Sequence, residues 1–273
     1  MSHPVFHRLE LLIGARSLEL LQTSRVIVFG VGGVGSWCAE ALARSGVGHL
    51  TLVDSDEVCI TNVNRQLQAT TRNVGRSKVE ELRERLVSLH PKVQVETVHG
   101  VYSREHRDRF ALEHFDYVID AIDSYTNKLD LIEHAHQART RLYSSMGAAC
   151  HLDSTRIRTA SVWDAKICPF AKIIRKGLRK RGFDGDFQVV YSEEPALEPV
   201  EHTSVACGTH KCFCPKPEGE DEHVDWCSTK LVINGSAVHV TASFGLALSG
   251  LVVQDVHARA RAEAQGPRAP AMI

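Results

Sequence analysis

Apolar runs alternate with amphipathic segments along the first half of the chain. The continuous apolar runs predict strands that are buried on both faces, whereas segments with helical spacing predict helices packed on those strands. The predicted strands are residues 25–30, 49–54, 92–98, 115–123 and 141–147, and the predicted helices are residues 8–22, 33–46, 77–91 and 126–139. Strands and helices in this alternation predict an α/β fold, with a doubly wound, Rossmann-like and mostly parallel sheet.

The pattern loosens in the second half of the chain. We divide the sequence into a Rossmann-like domain with an N-terminal helix (1–150), a C-terminal α+β extension (151–257) and a mobile tail (258–273). The extension contains two strand-like segments, 154–162 and 187–192, and a basic helical segment, 170–182. Residues 193–229 are rich in Pro, Glu and Cys and predict a long exposed loop, which in a compact domain is either functional or disordered.

The composition predicts a soluble protein with a substantial core. The 273 residues include 32 Lys and Arg against 33 Asp and Glu, so a polyanionic partner would need a local basic patch. The N-terminus lacks the charged-then-apolar layout of a signal peptide. Four cysteines, Cys38, Cys59, Cys150 and Cys168, stand singly among apolar neighbours, as reduced thiols do. We therefore predict a cytoplasmic location.

One stretch, between Lys230 and Asp255, carries no fixed charge and is long enough to span a bilayer. It nevertheless contains Asn234, His239 and Gln254, together with many Ser, Thr and Gly residues. We favour a strand and a small-residue helix that are buried in the core or at a dimer interface. Membrane association is the less favoured alternative.

A second group of cysteines lies in the long predicted loop. Cys207, His210, Cys212, Cys214 and Cys227 offer ligands for zinc, but the Cys-x-Cys spacing is tight and no second pair matches it. A flexible loop that carries thiols is the favoured interpretation.

The segment GVGGVG lies between the first predicted strand and the next helix, and it supplies Gly30, Gly32, Gly33 and Gly35. Glycines let the backbone approach a phosphate, and a helix N-terminus offers free N–H groups and a partial positive charge. Asp54 ends the second strand, where a carboxylate can accept hydrogen bonds from ribose hydroxyls. These features alone also fit an NAD-dependent oxidoreductase.

Further polar residues favour a nucleoside triphosphate over NAD. They are Asp56, Asn62, Asn64, Arg65, Lys78, Asp123 and Ser124. In a doubly wound sheet these positions meet at the carboxyl edge of the strands, where ligands bind. Arg65 and Lys78 would neutralise phosphate oxygens, and Asp123, alone or with Asp56, would hold a metal ion. We therefore predict ATP and Mg²⁺ as cofactors. The alternatives are a simple turn at Asn62 and Asn64 and a surface ion pair at Arg65.

The segments GVGGVG, VDSDEVCITNVNRQ, GRSKVE and VIDAIDS together resemble the ubiquitin-activating-enzyme superfamily, specifically its small bacterial-type adenylating members. The resemblance implies an ATP site that is formed by Gly33, Asp54, Asn62, Arg65, Lys78 and Asp123. It also implies a homodimer in which an N-terminal arginine reaches the phosphates of the partner subunit. Arg8 is the best match for that arginine, and Arg16 is the second.

Within the superfamily, AEALARSGVG, TNVNRQL, YVIDAIDS and SSMGAA resemble the tRNA threonylcarbamoyladenosine dehydratases, over residues 8–192. The resemblance implies a ligase-type enzyme that uses ATP to activate the threonyl carboxylate of the modified adenosine. The neighbouring carbamoyl nitrogen then closes a ring, with net loss of water. The segment 172–181, with six cations in ten residues and no acid, fits contact with an RNA backbone or a solvated helix face.

Two further hypotheses about the function stay open beside the dehydratase. The sulfur-carrier branch of the superfamily activates the C-terminus of a ubiquitin-like or sulfur-carrier protein, and it usually has two Cys-x-x-Cys pairs, which this sequence lacks. A sulfur-transfer partner protein would fit either branch. A catalytically idle binding subunit is the last alternative, and Arg65, Lys78 and Asp123 argue against it, because a scaffold does not need them.

Overall fold

One seven-stranded sheet runs through the part of the chain that the computed structural model describes, which is residues 3–90, 92–198 and 234–265. The strands are β1 (Arg25–Phe29), β2 (His49–Asp54), β3 (Gln94–His99), β4 (Tyr117–Asp120), β5 (Arg141–Ser145), β6 (Ile157–Ser161) and β7 (Gln188–Ser192). The α-helices are α1 (His7–Ile13), α2 (Ala15–Thr23), α3 (Gly35–Arg44), α4 (Lys78–Leu89), α5 (Tyr125–Gln137), α6 (Pro169–Lys180) and α7 (Val238–Gln265). The strand order is β3-β2-β1-β4-β5-β7-β6, and every neighbouring pair is parallel except β6–β7.

Helices cover both faces of this sheet, so the predicted doubly wound α/β fold is confirmed. Side chains of α2, α3, α4 and α7 fill an apolar cluster on one face, and side chains of α5 and α6 fill a second cluster on the other. The central strand β1 is buried from Val26 to Phe29, which explains its unbroken apolar sequence. Strands β6 and β7 extend the same sheet. The boundary at residue 150 stays a prediction.

The N-terminal helix predicted over residues 8–22 is divided in two. Gly14, between α1 and α2, has a φ of +83°, a left-handed conformation that interrupts the helix. Side-chain periodicity continues across the break, because apolar residues of both helices pack on the same cluster. Periodicity alone therefore could not reveal the division.

The prediction of a mobile tail from residue 258 is wrong for residues 258–265, which form the last two turns of α7. These turns are fixed by specific contacts. Ala260 is buried, the Arg259 guanidinium donates to the Tyr117 hydroxyl, and Glu263 pairs with Arg16. Residues 266–273 lie outside the described residues.

The uncharged stretch before Asp255 contributes to α7, a 28-residue helix. None of the helices in the described ranges is both long enough and apolar enough to cross a membrane. Residues 231–233, where this stretch begins, lie outside the described residues. So do the zinc candidates Cys207, His210, Cys212, Cys214 and Cys227 and most of the predicted loop 193–229.

Gly245 sets the close approach of α7 to α3, and we expect its replacement by alanine to destabilise the protein. A Cβ atom at Gly245 would lie 2.4 Å from the Val34 carbonyl oxygen and 2.8 Å from the Cys38 nitrogen. Alanine improves helix propensity by about 1 kcal/mol, but overpacking against rigid backbone costs roughly 1–3 kcal/mol. Gly245→Ala should therefore lower the free energy of unfolding in urea.

The matched control is Gly250→Ala in the same helix. A Cβ atom there meets only the Gln254 amide nitrogen, at 3.8 Å. This substitution should raise the free energy of unfolding by about 0.5–1 kcal/mol. Equal effects of the two substitutions would show that helix propensity, and not the contact with α3, governs both sites.

Candidate nucleotide site

The site predicted from the sequence lies where the strand order reverses. Strand β1 has β2 on one side and β4 on the other, so the connections after β1 and β4 diverge at their carboxyl ends. Such a reversal opens a crevice in which doubly wound proteins bind ligands. The glycine loop follows β1, Asp54 ends β2, and Asp123 follows β4. The fold therefore brings these three parts of the predicted site to one edge of the sheet.

Two positions of the glycine loop, Gly30 and Gly35, are packed too closely for larger residues. Gly30 has a φ of +84°, and a Cβ atom there would lie 2.7 Å from the Ala121 carbonyl oxygen. A Cβ atom on Gly35, at the start of α3, would lie 1.8 Å from the Gly30 carbonyl oxygen. The absence of side chains at these two glycines lets the loop pack closely at the N-terminus of α3. Helix N–H groups and the helix dipole favour an anion there.

Asp54 is oriented by backbone N–H groups. Its carboxylate oxygens accept hydrogen bonds from the Val31 nitrogen at 2.8 Å and from the Asp56 nitrogen at 2.9 Å. Burial raises the pKa of the Asp54 carboxyl, and the charge of Lys78 opposes that shift. The carboxylate is thereby fixed beside the glycine loop, in the position expected for a ribose ligand.

Lys78 and Asp56 form an ion pair at the same edge. The Lys78 Nζ lies 2.7 Å from an Asp56 carboxylate oxygen, and its side chain is buried while that of Asp56 is exposed. The Lys78 backbone nitrogen also donates to the Asp56 carbonyl, so the start of α4 is tied to the residues after β2. Lys78 also lies near Asp54, because its charge acts on the Asp54 carboxyl.

Arg65 covers the glycine loop. A Cβ atom on Gly33 would lie 3.3 Å from both Cγ and Cδ of Arg65, and the Trp37 indole donates to the Arg65 carbonyl. The guanidinium donates to the carbonyl oxygen of Thr61 and to the side-chain oxygen of Asn64. Burial lowers the pKa of Arg65. The fold thus brings Gly33 and Arg65 together, although they are 32 residues apart in the sequence.

The two asparagines have clear structural contacts. The Asn62 side-chain oxygen accepts from the Cys59 nitrogen, and its carbonyl accepts from the nitrogens of Arg65 and Gln66. The Asn64 amide donates to the Ser236 carbonyl at 2.9 Å. Asn62 therefore forms the turn that presents Arg65. Contact of either asparagine with nucleotide stays a prediction.

Asp123 and Ser124 are exposed in the short connection between β4 and α5. Mg²⁺ is commonly held by one or two carboxylates together with substrate phosphates, so an exposed carboxylate beside a phosphate loop fits this ion. Within residues 3–90, 92–198 and 234–265, no group of three or more His, Cys, Asp or Glu side chains is placed to hold a metal without such a substrate.

Sequence reasoning missed a buried cluster behind Asp123. Asp120 and Lys128 form an ion pair at 2.7 Å, with both side chains fully buried, and Ser144 bonds to both. Burial lowers the pKa of Lys128, and the charges of Asp120 and Asp123 oppose that shift. The sequence did contain a signal for the burial of Lys128. This lysine stands four and seven positions before the buried Ile132 and Ala135, on the same helix face.

The two candidate trans arginines differ in their surroundings. Arg16 is held by two carboxylates, Glu19 at 2.8 Å and Glu263 at 2.9 Å. Arg8 is exposed on α1. The residue that leads into α1, Phe6, packs beside His90 and Gly46, which precede β3 and β2. Arg8 thus starts near the amino edge of the sheet, opposite the glycine loop.

The basic segment 172–181 forms most of α6, and its cations are of two kinds. Arg175 donates to the Ala165 carbonyl at 2.6 Å, Arg179 lies over the Trp163 ring, and Arg181 pairs with Glu133. Lys172, Lys176 and Lys180 are exposed. The arginines therefore fix the helix, while the lysines form a basic surface.

A glycine loop, two acids, Asp54 and Asp123, and two cations, Arg65 and Lys78, thus lie at one edge of a doubly wound sheet, as in nucleotide-binding proteins of the adenylating class. Comparison with known protein families agrees with a protein of this class. The chain belongs to the ThiF family, whose model matches residues 6–245.

Among its relatives, a tRNA threonylcarbamoyladenosine dehydratase of Bacillus subtilis is 45% identical over 192 residues, which cover 70% of this chain and 76% of the relative. The Escherichia coli tRNA N6-threonylcarbamoyladenosine dehydratase in complex with ATP superposes with a TM-score of 0.78 at 30% identity, over 96% of each chain. The AMP complex of that E. coli protein gives a TM-score of 0.76, covering 92% of this chain and 93% of the other, also at 30% identity. An E. coli molybdopterin-synthase adenylyltransferase is 32% identical over 150 residues, covering 55% of this chain and 59% of the relative.

Proposed function

We propose that this protein uses ATP to dehydrate threonylcarbamoyladenosine in tRNA. The observation that carries the proposal is the convergence, at one switch point of the sheet, of the glycine loop, Asp54, Arg65, Lys78 and Asp123. This is a complete set for binding and cleaving a nucleoside triphosphate. The similarity to two dehydratases over most of the chain supports threonylcarbamoyladenosine as the activated acid.

Each residue at this edge of the sheet has a proposed role in the reaction. The loop of Gly30, Gly32, Gly33 and Gly35 holds phosphates on backbone N–H groups, and Asp54 binds the ribose. Arg65 and Lys78 neutralise phosphate oxygens, whereas Asp123 binds Mg²⁺. Bound Mg²⁺ supplies positive charge to the phosphates. Asn62, Asn64 and Ser124 border the same edge and complete the proposed nucleotide contacts.

The chemistry proceeds in two displacements. A threonyl carboxylate oxygen attacks the α-phosphorus of ATP, and pyrophosphate leaves, which gives an acyl adenylate. The carbamoyl nitrogen then attacks the acyl carbon and loses its proton, and AMP leaves with one carboxyl oxygen. The tRNA thereby loses the elements of water. The ATP and AMP complexes of the E. coli dehydratase support this use of ATP.

Helix α6 supplies the proposed contact with tRNA. Its exposed Lys172, Lys176 and Lys180 are point charges that suit phosphates of an RNA backbone. Its N-terminus lies near the nucleotide edge, because Phe170 packs within 3.6 Å of a Cβ atom placed on Gly147, two residues after β5. An RNA bound along α6 could therefore present its modified base to that edge.

We also propose that the active form is a homodimer in which Arg8 reaches the partner's phosphates. A strand of five or six residues is about 17–20 Å long, so Arg8 at the amino edge is remote from the glycine loop of its own chain. Among the described residues, the free thiols Cys38, Cys150 and Cys168 support a cytoplasmic location.

A ubiquitin-like or sulfur-carrier protein is the second candidate for the activated acid. The molybdopterin-synthase adenylyltransferase relative favours it, since it is 32% identical to this chain over 150 residues. That branch would bind a flexible carrier C-terminus in place of tRNA, and a sulfur-transfer partner would act with it.

The test is a mass measurement on the tRNA product. Purified protein, ATP and Mg²⁺ are incubated with threonylcarbamoylated tRNA, which is then digested to nucleosides. Loss of one water mass that depends on ATP is the expected result, and replacing ATP by NAD serves as the control. An unchanged mass, with ATP still bound, would reject the dehydratase and favour the carrier protein.

A further inference from the structure

The buried ion pair of Asp120 and Lys128 encloses the loop that carries Asp123. Asp120 ends β4 and Lys128 lies in the first turns of α5, so the residues between them form the whole connection. Their side chains meet at 2.7 Å and are fully buried. The pair therefore closes the base of this loop, with Asp123 exposed at its tip.

Hydrogen bonds also fix the two ends of the loop. At the start, Asp120 Oδ1 accepts a hydrogen bond from the Ile122 nitrogen at 3.1 Å. At the end, the Lys128 backbone nitrogen donates to the Ser124 carbonyl at 2.9 Å, as part of the first turn of α5. Asp123 lies between these two points, and the ion pair joins the end of β4 to the start of α5 on either side of it.

The Lys128 ammonium also reaches beyond the loop. It donates to the Ser144 hydroxyl at 3.2 Å and to the Ser145 carbonyl at 3.0 Å, both at the end of β5. Its nitrogen lies 5.9 Å from the centroid of the Phe170 ring, at the start of α6. With Asp120 included, three hydrogen-bond acceptors surround an ammonium group that has three N–H donors.

Stability does not account for this arrangement. Taking two charges out of water is costly, and well-packed apolar residues of the same volume commonly stabilise a fold as well as a buried pair does. A satisfied ionic cluster does, however, specify one geometry, because each donor and acceptor must keep its partner. The cluster lies directly behind Asp123, the proposed metal ligand. The fixed geometry of the cluster can therefore serve metal binding.

We infer that Lys128 and Asp120 are positioning residues that hold the Asp123 loop in the geometry needed to bind Mg²⁺ with ATP. The inference rests on the proposed role of Asp123. Groups that support metal ligands from behind typically change metal affinity by 10–100-fold when they are altered. Both residues act through the loop, and neither is proposed to contact the nucleotide.

The test uses the full-length protein without tRNA and measures binding of ATP by calorimetry over a series of Mg²⁺ concentrations. In Lys128→Met, the Mg²⁺ concentration for half-maximal ATP binding should rise about tenfold or more. This variant leaves Asp120 buried and unpaired, which can prevent folding. The double variant Asp120→Asn/Lys128→Met removes both charges, so it should fold and show the same shift.

Arg85→Met is the matched control, because Arg85 pairs with the buried Glu40 between α3 and α4, away from Asp123. It should lower thermal stability and leave the Mg²⁺ dependence unchanged. Hydrogen exchange in nucleotide-free protein gives a second readout, with faster exchange at residues 121–124 in the double variant. A folded double variant with native Mg²⁺ dependence would overturn the inference. A failed dehydration assay would count against the proposed activity alone, since this test needs no tRNA.

Discussion

Replacing Asp123 by asparagine should reduce ATP-dependent turnover by about 100-fold or more. The substitution removes the negative charge that is proposed to bind Mg²⁺, and a metal ion contributes several kcal/mol of charge stabilisation at a reacting phosphate. The fold should be preserved, because the Asp123 side chain is exposed and supports no core contact in the described structure. Steady-state rates at saturating tRNA, measured across Mg²⁺ concentrations, provide the test.

Asp108→Asn is the control for this prediction. The Asp108 side chain is 97% exposed on a short helical turn after β3, and it pairs only loosely with Arg107 at 3.7 Å. The control removes the same charge from the protein without touching the nucleotide edge, so its rate should equal that of the wild type. Mg²⁺-dependent turnover at the wild-type rate in Asp123→Asn would remove this residue from the mechanism.

Arg8→Ala should slow the chemical step by about 100-fold while ATP binding is largely preserved, since an arginine supplied by a partner acts on charge that develops in the transition state. Mixing this variant with Asp123→Asn tests the partner's role. If Arg8 acts in trans, random mixing should restore about a quarter of wild-type activity, because half of the dimers are mixed and one of their two sites is intact.

Arg16→Ala serves as the comparison for Arg8. Its two carboxylate partners are surface groups of α2 and α7, so the variant should lose little stability. Its turnover should be unchanged. If the mixed variants of Arg8 and Asp123 show no recovery, Arg8 does not act across a dimer. A slow Arg16→Ala enzyme would transfer the role to Arg16.

The sheet could be predicted from sequence because its central strands are buried on both faces and therefore read as apolar runs. Strand β1 shows this directly, since Val26–Phe29 are buried without interruption. The break at Gly14 depends on backbone conformation, which hydrophobic spacing does not encode. The end of α7 was missed because its last turns are held by tertiary contacts, such as Arg259 with Tyr117, and not by a strong apolar repeat.

The nucleotide edge could be predicted where its residues follow strands in local motifs. Asp54 and Arg65 belong to one continuous segment, and the position of Asp123 follows from the strand before it. The buried pair could not be predicted in the same way. A lysine in a helix normally lies at the surface, and the partner of Lys128 becomes evident only when β4, α5 and β5 are packed together.

The outer strands of the sheet bear on how two copies can associate. In the described structure, β3 and β6 each have a strand neighbour on one side only, and each carries an exposed charged residue, Glu96 and Arg158. Charges on an edge strand oppose the docking of another strand. Pairing of β3 in one molecule with β6 in the next would add copies without limit, whereas a two-fold contact ends at two. The charges on the outer strands therefore oppose the growth of a fibre by sheet extension.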